Sequence, residues 1–554
     1  MKKYALGLDF GTLSVRGLFL DLETGDEAAT VVYEYHHGIM TERLPDRTRL
    51  PENFALEHPM DFLNGMHYVI TQGMGELSLE PKQIAGIGLD VTSSTVLPLD
   101  AEAWPLCLKK EYAGNPHAWM KLWKHHGANE IALRLTQVAK DRNEPWLAFY
   151  GDNVCAEFLI AKAVELAVNA PDIFADTHSF MEAADWLVWL LTGNQVRSLS
   201  MAGCTGYYRV GSGYPNREFF KAAYPEAENV PDKLGGTMLR LGSCAGLLTE
   251  YWADRLGLEQ GTPVGIGTLD SHIGVIGCGA SRSGDLAAVL GTSACMMLNA
   301  LREDVITGVY LGAQDANMPD LYGYEGSQNC VGDMLGWFVD HCVSQKTYAC
   351  AEAEKLDIHS YLMKYASMLS PGESGVLALD WFNGNRTPLM DLSLTGCLIG
   401  LTIHTKPEEI YRALMESAAF GFRRIVEVFE QSGHPVNRII AGGGIPGKNP
   451  VMMQIYADVC GKTIHLCRST QASALGSAVL GAAAAGETVT GCKDITELMD
   501  KYVKLSDVAY APNAAHKAIY DQLYGIYLQL SDIMSGQDSA GRMLQKIKQE
   551  QMKV

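Results

Sequence analysis

The chain has 554 residues, 47% of them apolar and 19% charged, the make-up of a folded protein too long for one compact core. Its 44 basic residues are outweighed by 64 acidic ones, a net charge of −20. That excludes the basic footprint of a nucleic-acid binder, and it means an anionic ligand must be held by a local site against the overall field. The 13 cysteines form no Cys-x-x-Cys pair, which argues against a zinc ribbon or a thioredoxin-type motif. Their odd number, with no export segment before the first apolar run, points to reduced thiols in the cytoplasm.

An apolar run from Tyr4 ends in Asp9, Gly11-Thr12 follows, and a second apolar run leads to Asp21, the pattern of strand, tight turn and strand. Gly11 accepts a backbone shape that other residues resist. The turn's N–H groups and the hydroxyls of Thr12 and Ser14 are suited to cradle phosphate oxygens, and Asp9, at the strand end, to hold a metal ion through water. An ordinary β-hairpin turn would read the same way. Ile84 to Val91 reads as a buried strand, followed by a polar strand-end loop from Thr92 to Thr95. Between Asn115 and His126 lie two Trp, two Lys and three His, either a sugar-binding wall or a partly buried amphipathic helix. Adjacent His125 and His126 point different ways, which argues against a metal pair. Glu182 to Leu191 reads as an amphipathic helix stopped by Gly193.

Gly261 to Asp270 is another apolar strand ending in an acid. Open α/β sheets place their chemistry there, and a carboxylate at that point can accept the proton of an attacking hydroxyl in phosphoryl transfer. Equally, Asp270 could cap a helix starting near Ser271. From Leu286 the strand–Gly-Thr–strand pattern returns, with Gly291 and Thr292 at its turn. Two such turns suggest related halves closing on one nucleotide, with domains at 1–283 and 284–500 and a helical extension at 501–554. Glu325, in the Gly-bounded stretch from Gly323 to Asp333, is placed to bond substrate hydroxyls or belongs to a plain polar loop. Pro407 to Gln431 reads as a long helix and Asn437 to Ala441 as a strand, followed by Gly442-Gly443-Gly444. That cluster satisfies G-x-G-x-x-G only weakly and fits better as a flat backbone surface for an adenine ring, with Asn449 bonding base or sugar. Cys460-Gly-Lys-Thr463 resembles a Walker A tail, but Tyr456 stands where its first glycine is required. The stretch from Ser477 to Gly486 is too short to span a membrane and reads as a small-residue helix packed closely on a neighbour. Alternating strands and helices give an α/β architecture.

Together Leu8-Asp-Phe-Gly-Thr-Leu-Ser14, Lys121-Leu-Trp-Lys-His-His126, Glu182-Ala-Ala-Asp-Trp186, Tyr324-Glu325 with Gln328, Leu379-Asp-Trp-Phe-Asn-Gly-Asn-Arg386, Lys448-Asn-Pro450 and Met453-Gln-Ile-Tyr-Ala-Asp458 closely resemble the FGGY family of carbohydrate kinases, and within it the bacterial ribulokinase branch. The resemblance runs from about residue 4 to 530. It implies two actin-like, ribonuclease H-like ATPase domains of the sugar kinase/hexokinase/actin superfamily, with a cleft between them. It further implies that Asp270 is the catalytic base, that Asp9 binds Mg²⁺, and that Gly11, Thr12, Ser14 and Arg16 contact or support ATP phosphates. Gly291 and Thr292 match the second phosphate turn, and Gly332, Gly443, Gly444 and Asn449 match nucleotide contacts. Glu325, Ser93 in its loop, Trp123 and Lys124 match sugar contacts. The chain departs from the branch where a lysine is expected: Thr205 stands there, and Ser93 stands where relatives often carry Ala. The implied reaction is ATP-dependent phosphorylation of the terminal hydroxyl of a ketopentose, L-ribulose, in L-arabinose catabolism. The departures leave open D-ribulose, xylulose or ribitol, and the fold also hosts non-catalytic sugar sensors. The implied partners are a small sugar and ATP in the cytoplasm, with neither nucleic acid nor membrane; a homodimer is compatible with the resemblance.

Overall fold

The structure, a computed structural model, describes residues 2–552. Two mixed sheets, each of seven strands, carry the architecture, and they repeat one local plan. In the first, strand Tyr4–Phe10 pairs antiparallel with Ser14–Asp21 and parallel with Ile84–Val91. In the second, Asp285–Leu290 pairs antiparallel with Ala294–Ala300 and parallel with Arg438–Gly442. The expected two-domain α/β fold is therefore present, with each Gly-Thr turn joining the first hairpin of its sheet. Strand Ile84–Val91 is buried along its whole length, which is why its sequence is continuously apolar rather than alternating.

Helix Pro407–Gln431 covers the second sheet with an apolar face that includes Leu414, Ala418, Phe422 and Phe429. The tail does more than cover a surface. Strand Leu505–Tyr510 pairs with Ile464–Cys467, and Tyr520, Tyr524 and Tyr527 of helix Ala514–Ser535 are buried in the second core. Two segments expected to be helix or loop are built differently. Asn115–His126 holds a short 3₁₀ turn at Pro116–Ala118 and a strand at Met120–Lys121. Tyr322–Gln328, expected as a polar loop, is a strand between Ala294–Ala300 and Leu311–Gln314. Its glycines suit it because Gly326 faces Ile425, whose Cγ2 would lie 2.6 Å from an added Cβ.

The small-residue helix Ala472–Ala485 leaves the second core and lies on the first sheet, and residues through Val503 join the first hydrophobic core. Residues from 472 to 503 therefore pack with the first core although they follow the strands of the second sheet in sequence. The reason is contact between backbones. A Cβ on Gly88 would collide with the Ser477 carbonyl oxygen, and one on Gly277 with that of Ala472. The helix thus presses on both the sheet floor and helix Asp270–Cys278. Among the described residues no single helix is long and apolar enough to cross a membrane, and all thirteen cysteines are free thiols.

Because nothing at Gly88 can give way, Gly88→Ala should destabilise the protein by about 3 kcal/mol. Gly336, within helix Gly332–Cys342, has no heavy atom within 4 Å of a built Cβ, so Gly336→Ala should stabilise by up to about 1 kcal/mol. Denaturant unfolding of the two variants checks this pair of opposite signs.

Candidate active site

The floor of the cleft is a row of strand-end carboxyls. Asp9 and Asp90 sit side by side in register on adjacent parallel strands. Strand Thr268–Leu269 pairs with the same central strand, so Asp270, the next residue, starts its helix beside them. Asp270 does not cap that helix, whose N-cap is Leu269. Instead its Oδ1 accepts the N–H of Ser271 at 2.8 Å and that of Ser93 at 3.2 Å. Burial, then the charge of Asp9, pushes the Asp270 carboxyl up to about 6. Asp90 is pushed well above its usual range by burial and by Asp9. Asp9 is raised by burial, against the pull of Arg16, whose Nη1 lies 3.4 Å from Asp9 Oδ2. Ser477 Oγ, on the small-residue helix, donates to Asp90 Oδ2 at 2.6 Å, while Asp90 Oδ1 has no partner.

A divalent cation fits this electrostatic setting: buried carboxyls held above their ordinary range, one orphaned oxygen and a single guanidinium to offset them. Among the described residues no three acidic, His or Cys side chains converge as a ligand cage. The residues therefore suit an ion that takes most of its ligands from phosphates and water, as Mg²⁺ does.

Both Gly-Thr turns are hairpin turns closed by a bond from the glycine N–H, over three residues in the first and two in the second. Gly11 N–H donates to Ser14 O at 2.9 Å and Gly291 N–H to Ser293 O at 2.8 Å. Gly332 opens its helix against the second turn, donating to Gly291 O at 3.0 Å. Gly443, at φ +95°, packs its α-carbon against Leu290, the residue before that turn, while Gly444 faces open space. Asn449 caps helix Pro450–Cys460 through its Oδ1, which accepts the Met452 N–H at 2.9 Å. The Walker-like Gly461 ends that helix in the left-handed conformation, and Lys462 donates to Val436 O.

Beside Asp270 opens a cavity of about 450 Å³. Of the residues expected around a sugar, Ser93, Trp123, Thr205 and Glu325 line it and Lys124 does not; the Lys124 charge is felt at buried Glu57 instead. Trp123 Nε1 donates to Thr12 Oγ1 at 3.2 Å, joining the cavity wall to the first turn. Its neighbours in sequence face away from the cavity: Lys121 and His125 are buried, and His125 bonds Glu165 at 3.0 Å. Thr205 Oγ1 donates to Glu182 Oε1 at 2.5 Å, and burial pushes Glu182 up to about 8. Glu325 lies 3.4 Å from His272 Nε2; burial pushes its carboxyl up, but His272 and Tyr310 outweigh that and hold it below its ordinary value.

Sequence reasoning missed Asp90, Glu157, His272, Tyr310 and Arg386, although the last four line the cavity and the first completes its floor. The signal for Asp90 is present, since it ends a buried strand as Asp9 does. Arg386 stands in the unusual block that begins at Leu379. Glu157 and Tyr310 carry no local pattern.

Residues 4–277 match the FGGY family of carbohydrate kinases, N-terminal domain, and residues 286–485 its C-terminal domain. The chain is 43% identical to a ribulokinase of Bacillus licheniformis over 97% of this chain and 98% of that one. It is 41% identical to a ribulokinase of Geobacillus thermodenitrificans over 96% and 94%. Its fold superposes on a gluconate kinase from Lactobacillus acidophilus at a TM-score of 0.80, with 18% identity over 97% and 99% of the two chains. A xylulose kinase from the same organism gives 0.78, with 19% identity over 97% and 99%.

Trp123 is half-exposed at the cavity mouth, so a small ligand entering there should change intrinsic fluorescence, and Trp123→Phe should abolish most of that change. Fluorescence titration of both proteins checks it.

Proposed function

Because the chain belongs to the FGGY family of carbohydrate kinases, we propose that it transfers the γ-phosphoryl group of ATP to the terminal hydroxyl of a ketopentose, L-ribulose, giving the 5-phosphate and ADP. The observation that carries this reading is Asp270: a half-buried carboxylate at the wall of a sugar-sized cavity, between two phosphate-type turns. In this reading the sugar lies against Ser93, Trp123, Thr205 and Glu325, with Lys124 behind the wall. Gly11, Thr12, Ser14 and Arg16 face the phosphates from one side, and Gly291, Thr292 and Gly332 from the other. Gly443 and Gly444 offer the flat surface for adenine, with Asn449 holding the helix beside it.

Asp270 takes the hydroxyl proton as the sugar oxygen bonds to phosphorus, and the bond from phosphorus to the bridging oxygen of ADP breaks. The two backbone N–H groups at its Oδ1 aim the other oxygen and keep the side chain still. Closure of the two domains excludes water and holds oxygen and phosphorus in line. Mg²⁺, held by Asp9 with Asp90 nearby, supplies charge neutralisation of the phosphates when bound. The free thiols and acidic surface suit a cytoplasmic enzyme, and a dimer is compatible with the reading.

One observation favours a different pentulose. Thr205 supplies no cation and commits its hydroxyl to Glu182, so the contact expected from a lysine there is missing. A panel of L-ribulose, D-ribulose, xylulose and ribitol, assayed by ADP release, tests the choice. The proposal expects the highest kcat/KM with L-ribulose; equal values across the panel would overturn the narrower claim. Since Asp270 must be ionised to accept a proton and its carboxyl sits at about 6, kcat/KM should fall about tenfold per pH unit below that value, levelling above it. A pH–rate profile with the preferred sugar checks the position of this limb.

A further inference from the structure

We infer that Arg386, reaching into the cavity from the second domain, recognises the sugar together with Glu157 of the first domain. The inference rests on the kinase reading above and adds two substrate contacts to it. Arg386 lies in the loop between strands Leu377–Leu379 and Cys397–Ile399. The same loop brings Met390 and Leu392 to the cavity wall. It is seated against the first domain, with Met390 Cε 2.5 Å from a Cβ built on Gly151. The Arg386 guanidinium stacks over the Tyr310 ring at 5.2 Å. Among the described residues it has no hydrogen-bonded or ion-paired partner: nearby Tyr310, Glu157 and Glu325 act on it by charge alone. Its N–H donors are therefore uncommitted where they line the cavity, and a ligand there can supply their acceptors.

Four other basic side chains beside the cavity are engaged. Lys162 is buried and donates to the carbonyls of Ser94 and Leu122 at 2.7 and 2.8 Å. His126 Nε2 bonds Glu157 Oε1 at 2.9 Å, His272 faces Glu325 and the Ala316 carbonyl, and Arg16 faces Asp9. Arg386 thus fills the gap that Thr205 leaves. Burial pushes the Glu157 carboxyl up, but the His126 bond and the Arg386 charge outweigh it and hold it below its ordinary value, so it is an ionised acceptor. A guanidinium fork opposite a carboxylate matches two neighbouring hydroxyls of a polyol: the fork donates to both oxygens, and the carboxylate accepts a hydrogen bond from a hydroxyl. Since the two side chains belong to opposite domains, a sugar held by both favours the closed cleft.

The test compares wild type with Arg386→Gln, Arg386→Lys and Glu157→Gln, using the sugar that wild type phosphorylates fastest and single-deoxy analogues of it. Arg386→Gln should raise the sugar KM and Kd about 10- to 100-fold, the loss expected for a hydrogen bond to a charged group, while the Kd for ATP stays within about threefold. Removing the hydroxyl that Arg386 holds should weaken binding to wild type about tenfold and cost nothing further in Arg386→Gln. Arg386→Lys, which keeps the charge but loses the fork, should fall between, and it decides the matter with the same analogues if the glutamine variant does not fold. Unchanged sugar affinity in Arg386→Gln, or the same deoxy penalties in variant and wild type, overturns the inference. A wild type that phosphorylates none of the sugars overturns the kinase reading instead.

Discussion

The approach of one helix backbone to one strand backbone is the constraint on which the rest of this protein depends. Helix Ala472–Ala485 crosses from the second domain and lies on strand Ile84–Val91 at glycine distance, with Gly88 under Ser477 and Gly277 under Ala472. Side chains of ordinary size would lift the helix off the sheet and off helix Asp270–Cys278 together. Close contact of this kind has little slack, so strand, helix and the start of the Asp270 helix are located as one body. The Ser477 hydroxyl reaches Asp90 from the same turn, which makes the packing contact also a contact of the carboxyl row.

That rigidity matters because the floor gathers like charges. Asp9 and Asp90 are buried with half-buried Asp270 beside them, each held above its ordinary range by desolvation first and by its neighbours second for Asp90 and Asp270. A flexible floor would relax by moving the charges apart. A stiff one keeps them where an incoming cation and a developing proton transfer lower the energy, the arrangement by which preorganised sites favour a transition state. The cavity above is built from both domains: Ser93, Trp123 and Thr205 from one, Tyr310, Glu325 and Arg386 from the other. A ligand in that cavity therefore touches both domains.

Much of this is legible in the amino-acid sequence where the determinants are local. The two strand–Gly-Thr–strand hairpins, the helix over Pro407–Gln431 and the small-residue helix each declare themselves by periodicity, turn residues or composition. Asp270 stands out because an acid follows an apolar strand. The misreadings come from partners distant in sequence. Lys121 and His125 look like a binding surface, and only the fold supplies Glu165 to bury with them. Tyr322–Gln328 looks like a loop until a neighbouring helix explains its glycines. Arg386 and Glu157 are more than two hundred residues apart, and nothing in either neighbourhood says that they share a cavity.

The central claim is that the carboxylate of Asp270 accepts the proton during phosphoryl transfer while the walls around it hold the sugar. Asp270→Asn keeps the shape and the two backbone hydrogen bonds at the retained oxygen but removes the base. Measured side by side, single-turnover phosphorylation should fall by about 10²- to 10⁴-fold, with the sugar Kd, from isothermal titration, within a few-fold of wild type. Phosphorylation by Asp270→Asn at near the wild-type rate would contradict the account.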